Sequence, residues 1–352
     1  MEIYVKPFVV TAVLTLCAAL ALPAQAQEPT QKAVTVASFN ICKVSCAGAP
    51  SWEVRRDRVS RVIGESGASI VGLQESTNNS VANAKTQALD VAQLASAHGY
   101  AVPVVESSAN QCQRPRDENG QLAGPNPCDN TTQLLYKAAD FSQTASVFGS
   151  AMAGTYQLGN LVAGQDPKSA KRSVQWAYLQ NNVTGKNLLA VSLHTDNDKS
   201  DVSERSREII GEGLDEWVAQ KNAETRMGGV PAVLLTDLNS FDKRQPNGVQ
   251  QRLRKNGWVD SFEAPAKKNI QYSTINYSDN LEIQAFPPKP IKSEKTKNNP
   301  EGAATRIDYV FLWGTKAKAH YYEVVIYLDK KGKFVPEYQA SDHQMVKAAV
   351  TL

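Results

Sequence analysis

The sequence predicts an α/β fold in which two β-sheets pack together with helices outside. Two observations carry this. Strand-like segments outnumber helical ones, and several, such as 70–73 and 233–235, are continuous apolar runs of the kind buried on both faces. In addition, five short apolar runs end in, or are punctuated by, a carboxylate, amide or imidazole: Leu73-Gln74-Glu75-Ser76, Ser192-Leu193-His194-Thr195, Leu235-Thr236-Asp237-Leu238-Asn239, Arg306-Ile307-Asp308-Tyr309-Val310 and Ala340-Ser341-Asp342-His343. Strand ends and loops are where a rigid scaffold displays chemistry, so these groups are expected to meet at one rim.

The elements follow in order. Residues 34–39 alternate and are β-branched, which makes a strand. Residues 52–65 place Val59, Val62 and Ile63 on one helical face. A buried strand at 70–73 leads to Glu75, a helix is expected over 81–97, and a strand over 132–136. Residues 174–179 and 188–193 read as a hairpin turning at Thr184-Gly185-Lys186. Ser203 is expected to open a long helix with Ile210, Leu214 and Trp217 facing inward and Glu204 in its first turn. Further strands are expected at 233–235, 307–313, 324–327 and 345–350.

The 352 residues are 21% charged and 42% hydrophobic, an ordinary globular composition. The net charge of +3 is too small to argue for nucleic acid on its own. At the N-terminus, Lys6 precedes an apolar stretch over 8–22 and then Pro23-Ala24-Gln25-Ala26, the pattern of a secretory signal peptide cleaved before Gln27. The expected organisation is therefore a signal over 1–26 and one domain over 27–352, exported to the periplasm or medium. No other stretch is long and apolar enough to span a bilayer, and no stable membrane association is expected. Cleavage leaves Cys42, Cys46, Cys112 and Cys128, an even number that in an exported protein reads as disulfides. Spacing favours Cys42–Cys46 and Cys112–Cys128, with a four-thiolate zinc site as the competing reading.

A hard divalent cation wants oxygen ligands. Glu75 at a strand end is the best candidate, and Asn40 offers an amide oxygen beside it. Asp237 and Asn239, two apart, would point the same way on an extended segment and could hold a water and a phosphate oxygen. Of the four histidines, His98 and His320 read as structural, whereas His194 and His343 sit in strand-end motifs among carboxylates. An imidazole acting as acid or base needs a group to orient its second nitrogen, and Asp308 is the natural orienter for His343. The bland alternative for Asp308 is a salt bridge to Arg306.

Taken together, Asn40 in Ser-Phe-Asn-Ile, Glu75 in Leu-Gln-Glu-Ser, His194 in Ser-Leu-His-Thr, Asp237 and Asn239 in Thr-Asp-Leu-Asn-Ser, Asp308 in Arg-Ile-Asp-Tyr, and Asp342 with His343 in Ser-Asp-His resemble the endonuclease/exonuclease/phosphatase superfamily. The resemblance runs from Val34 to Leu352. It departs at Thr236, where the family usually has Gly, at Leu238, where it has Phe, and at Thr195, where it has Leu. It implies a four-layer α/β sandwich of two mixed sheets flanked by helices, and a phosphoesterase using Mg²⁺ (or Mn²⁺ or Ca²⁺) on Glu75 and Asn40. It also implies that Asp342 ligates a second metal or packs against the first, and that His194 donates to the phosphate. Asn239 would hold the phosphate, and either Asp237 or the Asp308–His343 pair would activate water. Arg172 resembles the family's phosphate-contacting arginine; its alternative is a solvated charge at a strand start.

The substrate is read from one region. A long insertion between Tyr272 and Arg306 carries Lys289, Lys292, Lys295 and Lys297 and leads into the Asp308 strand, which suits a phosphate backbone. A secreted nuclease acting on DNA is the leading expectation, and a sphingomyelinase-like phospholipid phosphodiesterase the alternative. A binding protein on an inactive scaffold is the third reading, and loss of Glu75 or of either strand-end histidine would have signalled it.

Overall fold

Four strands open the chain, β1 (Val34–Asn40), β2 (Ile70–Gln74), β3 (Tyr100–Ala101) and β4 (Gln133–Lys137), and all lie in one sheet. The next six, β5 (Phe141–Gln143), β6 (Ala153–Gln157), β7 (Ser173–Asn181), β8 (Asn187–His194), β9 (Ala232–Asp237) and β10 (Val259–Asp260), form a second. The chain then returns to the first sheet with β11 (Ala266–Lys268), to the second with β12 (Asp308–Trp313), and to the first with β13 (Lys318–Val324) and β14 (Val346–Thr351). The strand orders are β11-β13-β14-β1-β2-β4-β3 and β10-β12-β9-β8-β7-β5, with β6 also on β7. Both sheets are mixed: β1–β2 and β8–β9 are parallel and most other pairs antiparallel. This computed structural model describes residues 1, 33–46, 50–81, 86–112, 128, 132–146, 149–241, 248–275, 292–297 and 299–352. The expected signal segment beyond Met1, and Lys289, lie outside the described residues.

The layering follows from strand alternation. Successive side chains point to opposite faces. Val36, Ile70, Leu134, Val233, Leu235, Val310 and Val346 therefore fill the space between the sheets. Their neighbours Ala37, Phe39, Val71 and Leu73 face Trp52, Val59, Val62 and Ile63 of α1 (Trp52–Glu65) and Val91 and Ala95 of α2 (Gln87–Ser96). Two short helices, α3 (Leu158–Leu161) and α4 (Pro167–Ala170), precede β7. On the far side, Leu189, Val191, Leu234 and Phe311 meet Ile210, Leu214, Trp217 and Val218 of α5 (Asp201–Glu224) and Val249 and Leu253 of α6 (Val249–Lys255). The order helix, sheet, sheet, helix is the expected four-layer sandwich. At Gly72 an added Cβ would run into Leu235 Cβ, so glycine is what lets the sheets approach there.

Several boundaries differ from expectation. The helix expected over 81–97 starts at Gln87, because the Thr86 side chain caps it by accepting from Leu89 N; residues 82–85 lie outside the described residues. The long helix begins before Ser203, at Asp201, with Ser200 Oγ accepting from Ser203 N. Ser203 instead turns its hydroxyl to Asp196 Oδ2 at 2.8 Å. Of the strand expected at 324–327 only Val324 is in a strand, as the last residue of one that runs Lys318–Val324 and pairs with β14. Beyond it Val325 N–H still reaches Met345 O, while Tyr327 leaves the sheet to stack on Tyr338 with ring centres 3.8 Å apart. Cys42–Cys46 and Cys112–Cys128 are both disulfides, so the zinc reading of the four thiols falls. Residues 113–127, which the second bridge closes, lie outside the described residues.

Candidate functional site

Sheet register assembles the site. In the second sheet His194 is level with Asp237 across the parallel β8–β9 pair, and Asp308 is level with Asp237 across the antiparallel β9–β12 pair. Three functional groups thus occupy three adjacent strands at one height. In the first sheet Asn40 is level with Gln74, the residue before Glu75. His343 lies three residues before β14, where Ile275 bridges to it. Gln74 ties the sheets together beneath this row. Its amide donates to Ser192 Oγ and Leu235 O, both at 3.2 Å, and its oxygen accepts from Ser38 Oγ at 3.2 Å.

The resulting cluster is dense and buried. Asp237 and Asp308 have no exposed surface, and His194 and His343 are almost fully enclosed. Asp237 Oδ2 accepts from Asn40 Nδ2 at 2.9 Å and lies 3.4 Å from His194 Nε2 and 3.8 Å from His343 Nε2. Its other oxygen accepts from the Asn239 backbone N–H at 2.8 Å. The Asn239 side chain donates to Thr195 O at 3.1 Å and lies 3.0 Å from His194 Nε2. Glu75 Oε2 accepts from Lys43 N–H at 3.0 Å, and Oε1 is 3.5 Å from the Asn40 amide. His343 Nδ1 lies 3.0 and 3.2 Å from the two oxygens of Asp308. Thr274 Oγ1 accepts from Ile307 and Asp308 N–H and fixes the start of that strand.

Three of the sequence readings are refined here. Asp237 and Asn239 do not share an extended segment: β9 ends at Asp237, and Asn239 turns into the left-handed region at φ 46°. The turn, not strand alternation, brings both to the site. Glu75 at φ 56° and Cys42 at φ 55° share that conformation, and such backbone geometry clusters where structure is held for function. The Asn40 amide oxygen accepts from Cys42 N–H at 3.0 Å, while its nitrogen faces Glu75 and Asp237. Arg306 pairs with Asp260 at 3.2 Å, which leaves Asp308 to His343. His98 and His320 contact Ser60 and Thr351, away from the cluster.

Arg172 is not a solvated charge. It is buried, and its guanidinium donates to Asp196 Oδ1 at 2.8 Å, two residues beyond His194. Asp342 accepts from Ser341 Oγ at 3.2 Å, and one of its oxygens lies near the Cys42 and Cys46 sulfurs. Those sulfurs are bridged to each other and present no thiolates.

The electrostatics follow from this packing. Burial works against ionised Asp237, but the His194 hydrogen bond and the charges of His343 and His194 hold its pKa well below the ordinary carboxylate value. Burial also opposes Glu75, and His194 with the Lys43 N–H outweighs it, so its pKa is lowered. Burial pushes Asp308 up to about 6. Burial disfavours charged His343, yet Asp308 and then Asp237 and Asp342 raise its pKa well above the ordinary 6.5. The Asp308–His343 pair thus holds a proton tightly. His194 Nδ1 is buried and has no partner among the described residues.

The donor set fits a hard divalent cation. Ligand atoms of buried Asp237, Asp308 and His343 lie within 4.8 Å of one another, and half-buried Glu75 faces the same Asn40 amide as Asp237. Buried anions at this density call for a compensating positive charge.

Sequence reasoning missed Arg55, Gln74, Thr274 and Ser341. Arg55 carried a signal, a charged residue on the inward stripe of α1 beside Trp52 and Val59. The others are uncharged polar side chains whose partners come from distant parts of the chain.

No protein-family model and no curated protein sequence matches the chain. Solved structures do. An endonuclease/exonuclease/phosphatase family protein of Bacteroides thetaiotaomicron aligns at 18% identity over 91% of this chain and 98% of its own, with a TM-score of 0.59. A Bacteroides vulgatus endonuclease/exonuclease/phosphatase aligns at 21% over 92% and 100%, with a TM-score of 0.58. A mannosyl-6-phosphatase of Bacteroides thetaiotaomicron aligns at 18% over 91% and 100%, again at 0.58. The chain has the fold of these proteins, as its motifs led us to expect.

Proposed function

We propose that this chain is a secreted, divalent-metal-dependent phosphodiesterase of the endonuclease/exonuclease/phosphatase superfamily that hydrolyses DNA. The observation that carries the reading is the row His194, Asp237, Asp308 on three adjacent strands, closed by His343 on Asp308. Glu75, with Asp237 beside it, would hold Mg²⁺ or Mn²⁺, and such an ion would supply charge neutralisation at a phosphoryl oxygen; the Asn40 amide, whose nitrogen faces both carboxylates, would position them rather than ligate the ion.

The two histidines differ in a way that divides their roles. His343 has an orienting carboxylate on Nδ1, whereas His194 Nδ1 has no partner among the described residues. His343 is therefore the base: it takes a proton from water at Nε2, and Asp308 stabilises the imidazolium that forms. Asp237 already accepts from Asn40 and Asn239 and is held strongly ionised, which makes it a poor proton acceptor and a good anchor. His194 and the Asn239 amide, 3.0 Å apart, are the donor pair for a phosphate oxygen. Arg172, held by Asp196, supplies positive charge beyond His194. Asp342 adds negative charge beside His343.

For DNA, the support is the insertion. Lys292, Lys295 and Lys297 are exposed, and Tyr272, to which Lys292 bridges, lies three residues before the Ile275 that bridges to His343. Against a membrane-inserting sphingomyelinase, the exposed large hydrophobics among the described residues include no aromatic side chain. No helix among the described residues is long and apolar enough to cross a membrane. The two disulfides support export. The likeness to a mannosyl-6-phosphatase, whose whole length the chain covers, favours a sugar phosphate as the second reading. Supercoiled plasmid, mannose 6-phosphate and sphingomyelin vesicles, each with Mg²⁺ and with excess chelator, separate these. Plasmid nicking that needs Mg²⁺ supports the proposal; intact plasmid beside rapid release of phosphate from the sugar overturns it.

A further inference from the structure

Arg55 has no exposed surface, although it is a cation on the inward face of α1. A guanidinium presents five donors in a planar fork. Here Nη1 donates to Ile41 O at 2.9 Å and Ala340 O at 3.2 Å. Nη2 donates to Cys42 O at 3.1 Å and Lys43 O at 2.9 Å, and Nε to Pro50 O at 3.2 Å. One side chain thus holds three consecutive carbonyls of the turn after β1 and a fourth immediately before Ser341-Asp342-His343.

That turn is the part of the backbone that fixes the oxygen cluster. Its Cys42 N–H sets the Asn40 amide, and its Lys43 N–H sets Glu75. Ser341 Oγ reaches across to Asn40 O at 2.7 Å and accepts from His343 N–H at 3.1 Å. Gln87 supports the same turn from α2, donating to Cys42 O and accepting from Thr77 N–H, two residues beyond Glu75. Cys42 is further tethered to Cys46. The five carbonyls take the whole fork, so Arg55 acts on Glu75 and Asp342 through this backbone and through its charge rather than by direct hydrogen bonds.

We propose that Arg55 is the positioning residue of the candidate metal site: it locks the 41–43 turn and the 340–343 segment in one register, and so sets the placement of Glu75 and Asn40 against His343. This rests on reading Glu75 as the metal-binding carboxylate. A lysine at this place keeps the charge and gives up the fork, since an ammonium has three donors on one nitrogen for the five carbonyls.

The test is Mn²⁺ binding, followed through the loss of the free-ion electron paramagnetic resonance signal, on wild type, Glu75→Ala, Arg55→Lys, Arg55→Ala and Val59→Ala. Val59 is fully buried on the same helix, so its truncation weakens α1 packing without touching the turn. Supports of metal ligands typically contribute ~10–100-fold in metal affinity. Arg55→Lys should therefore weaken Mn²⁺ binding by at least ~10-fold, with Val59→Ala binding as wild type although less heat-stable. Arg55→Lys carries the test even where Arg55→Ala does not fold. Wild-type affinity in Arg55→Lys, or equal weakening in Val59→Ala, overturns the inference while the metal reading stands. A wild-type protein that binds no Mn²⁺, or a Glu75→Ala variant that binds it as well, overturns the metal reading and the inference with it.

Discussion

Asp308→Asn removes one charge and changes almost no volume. In the native site His343 Nδ1 lies 3.0 and 3.2 Å from the two Asp308 oxygens, in a pair with almost no exposed surface. Breaking a buried pair by removing one partner costs about 3–5 kcal/mol, because the remaining charge is left uncompensated. An amide keeps one hydrogen bond, and Asp237 still faces the imidazole from 3.8 Å, so the loss belongs at the low end, about 3 kcal/mol. The stabilisation at stake is that of the imidazolium formed as water is deprotonated. A loss of about 3 kcal/mol in a transition state is a fall of about 10²-fold in kcat. If the new amide donates to Nδ1, it also favours the wrong tautomer and deepens the loss towards ~10⁴-fold. The sign in pH is fixed as well. Asp308 raises the pKa of His343, so the wild-type rate should climb with pH above neutrality, and Asp308→Asn should move that limb to lower pH. Imidazole proton resonances give a second readout in chelator-treated protein, since only four histidines are present and one should titrate lower in the variant. A variant with wild-type kcat and an unmoved histidine titration would refute the pairing as the source of the base.

The remaining predictions concern the rest of the molecule. Mass analysis of secreted material should show a start near Gln27 and no free thiol among Cys42, Cys46, Cys112 and Cys128; four titratable thiols without reductant would contradict export in the oxidised form. Burial of Asp196 is outweighed by Arg172 and Ser203, and its pKa falls to about 2. A folded pKa below the unfolded one gives stability that is present above the unfolded value near 3.8 and is lost as pH falls through the folded one, about 2 kcal/mol in this case. Asp260, held down by Arg306, acts in the same direction. The melting temperature should therefore drop steeply between about pH 4 and pH 2, and Asp196→Asn should be less stable near pH 6 yet lose less on acidification. Changing Lys289, Lys292, Lys295 and Lys297 together to Gln should weaken DNA binding and flatten its salt dependence while leaving a nitrophenyl phosphodiester nearly unaffected. Unchanged KM and salt slope on DNA would leave the insertion as a solvated surface.

Much of the fold was legible because the period-two pattern does not depend on distant partners. Val36 against Ala37, and Leu234 between Val233 and Leu235, declare their layers from local sequence alone. Strand ends were legible for the same reason: Asn40, Glu75, His194, Asp237 and Asp308 each close or open an apolar run, and the structure gathers them with His343. What stayed hidden is set by long-range geometry. Short strands such as Tyr100–Ala101 and Val259–Asp260 exist only through pairing with β4 and β12. Helix starts depended on which of several neighbouring hydroxyls became the cap, Ser200 rather than Ser203. The turn that places Asn239 needs a left-handed residue, which an Asp-x-Asn string does not by itself announce. Arg55 was visible as an anomaly on an apolar helix face, but its carbonyl partners at Ile41 and Ala340 come from opposite ends of the domain.

The central claim is that Glu75, Asp237 and the Asp308–His343 pair form one metal-dependent hydrolytic site. Its most direct measurement is the hydrolysis of a nitrophenyl phosphodiester by protein stripped with chelator, then titrated with Mg²⁺, for wild type and for Glu75→Gln. We expect the stripped wild type to be inactive and to recover fully on addition of Mg²⁺, and Glu75→Gln, folded by its melting curve, to recover little at the same concentration. Full activity of the wild type in excess chelator, or a Glu75→Gln variant with the wild-type Mg²⁺ response, would contradict the account.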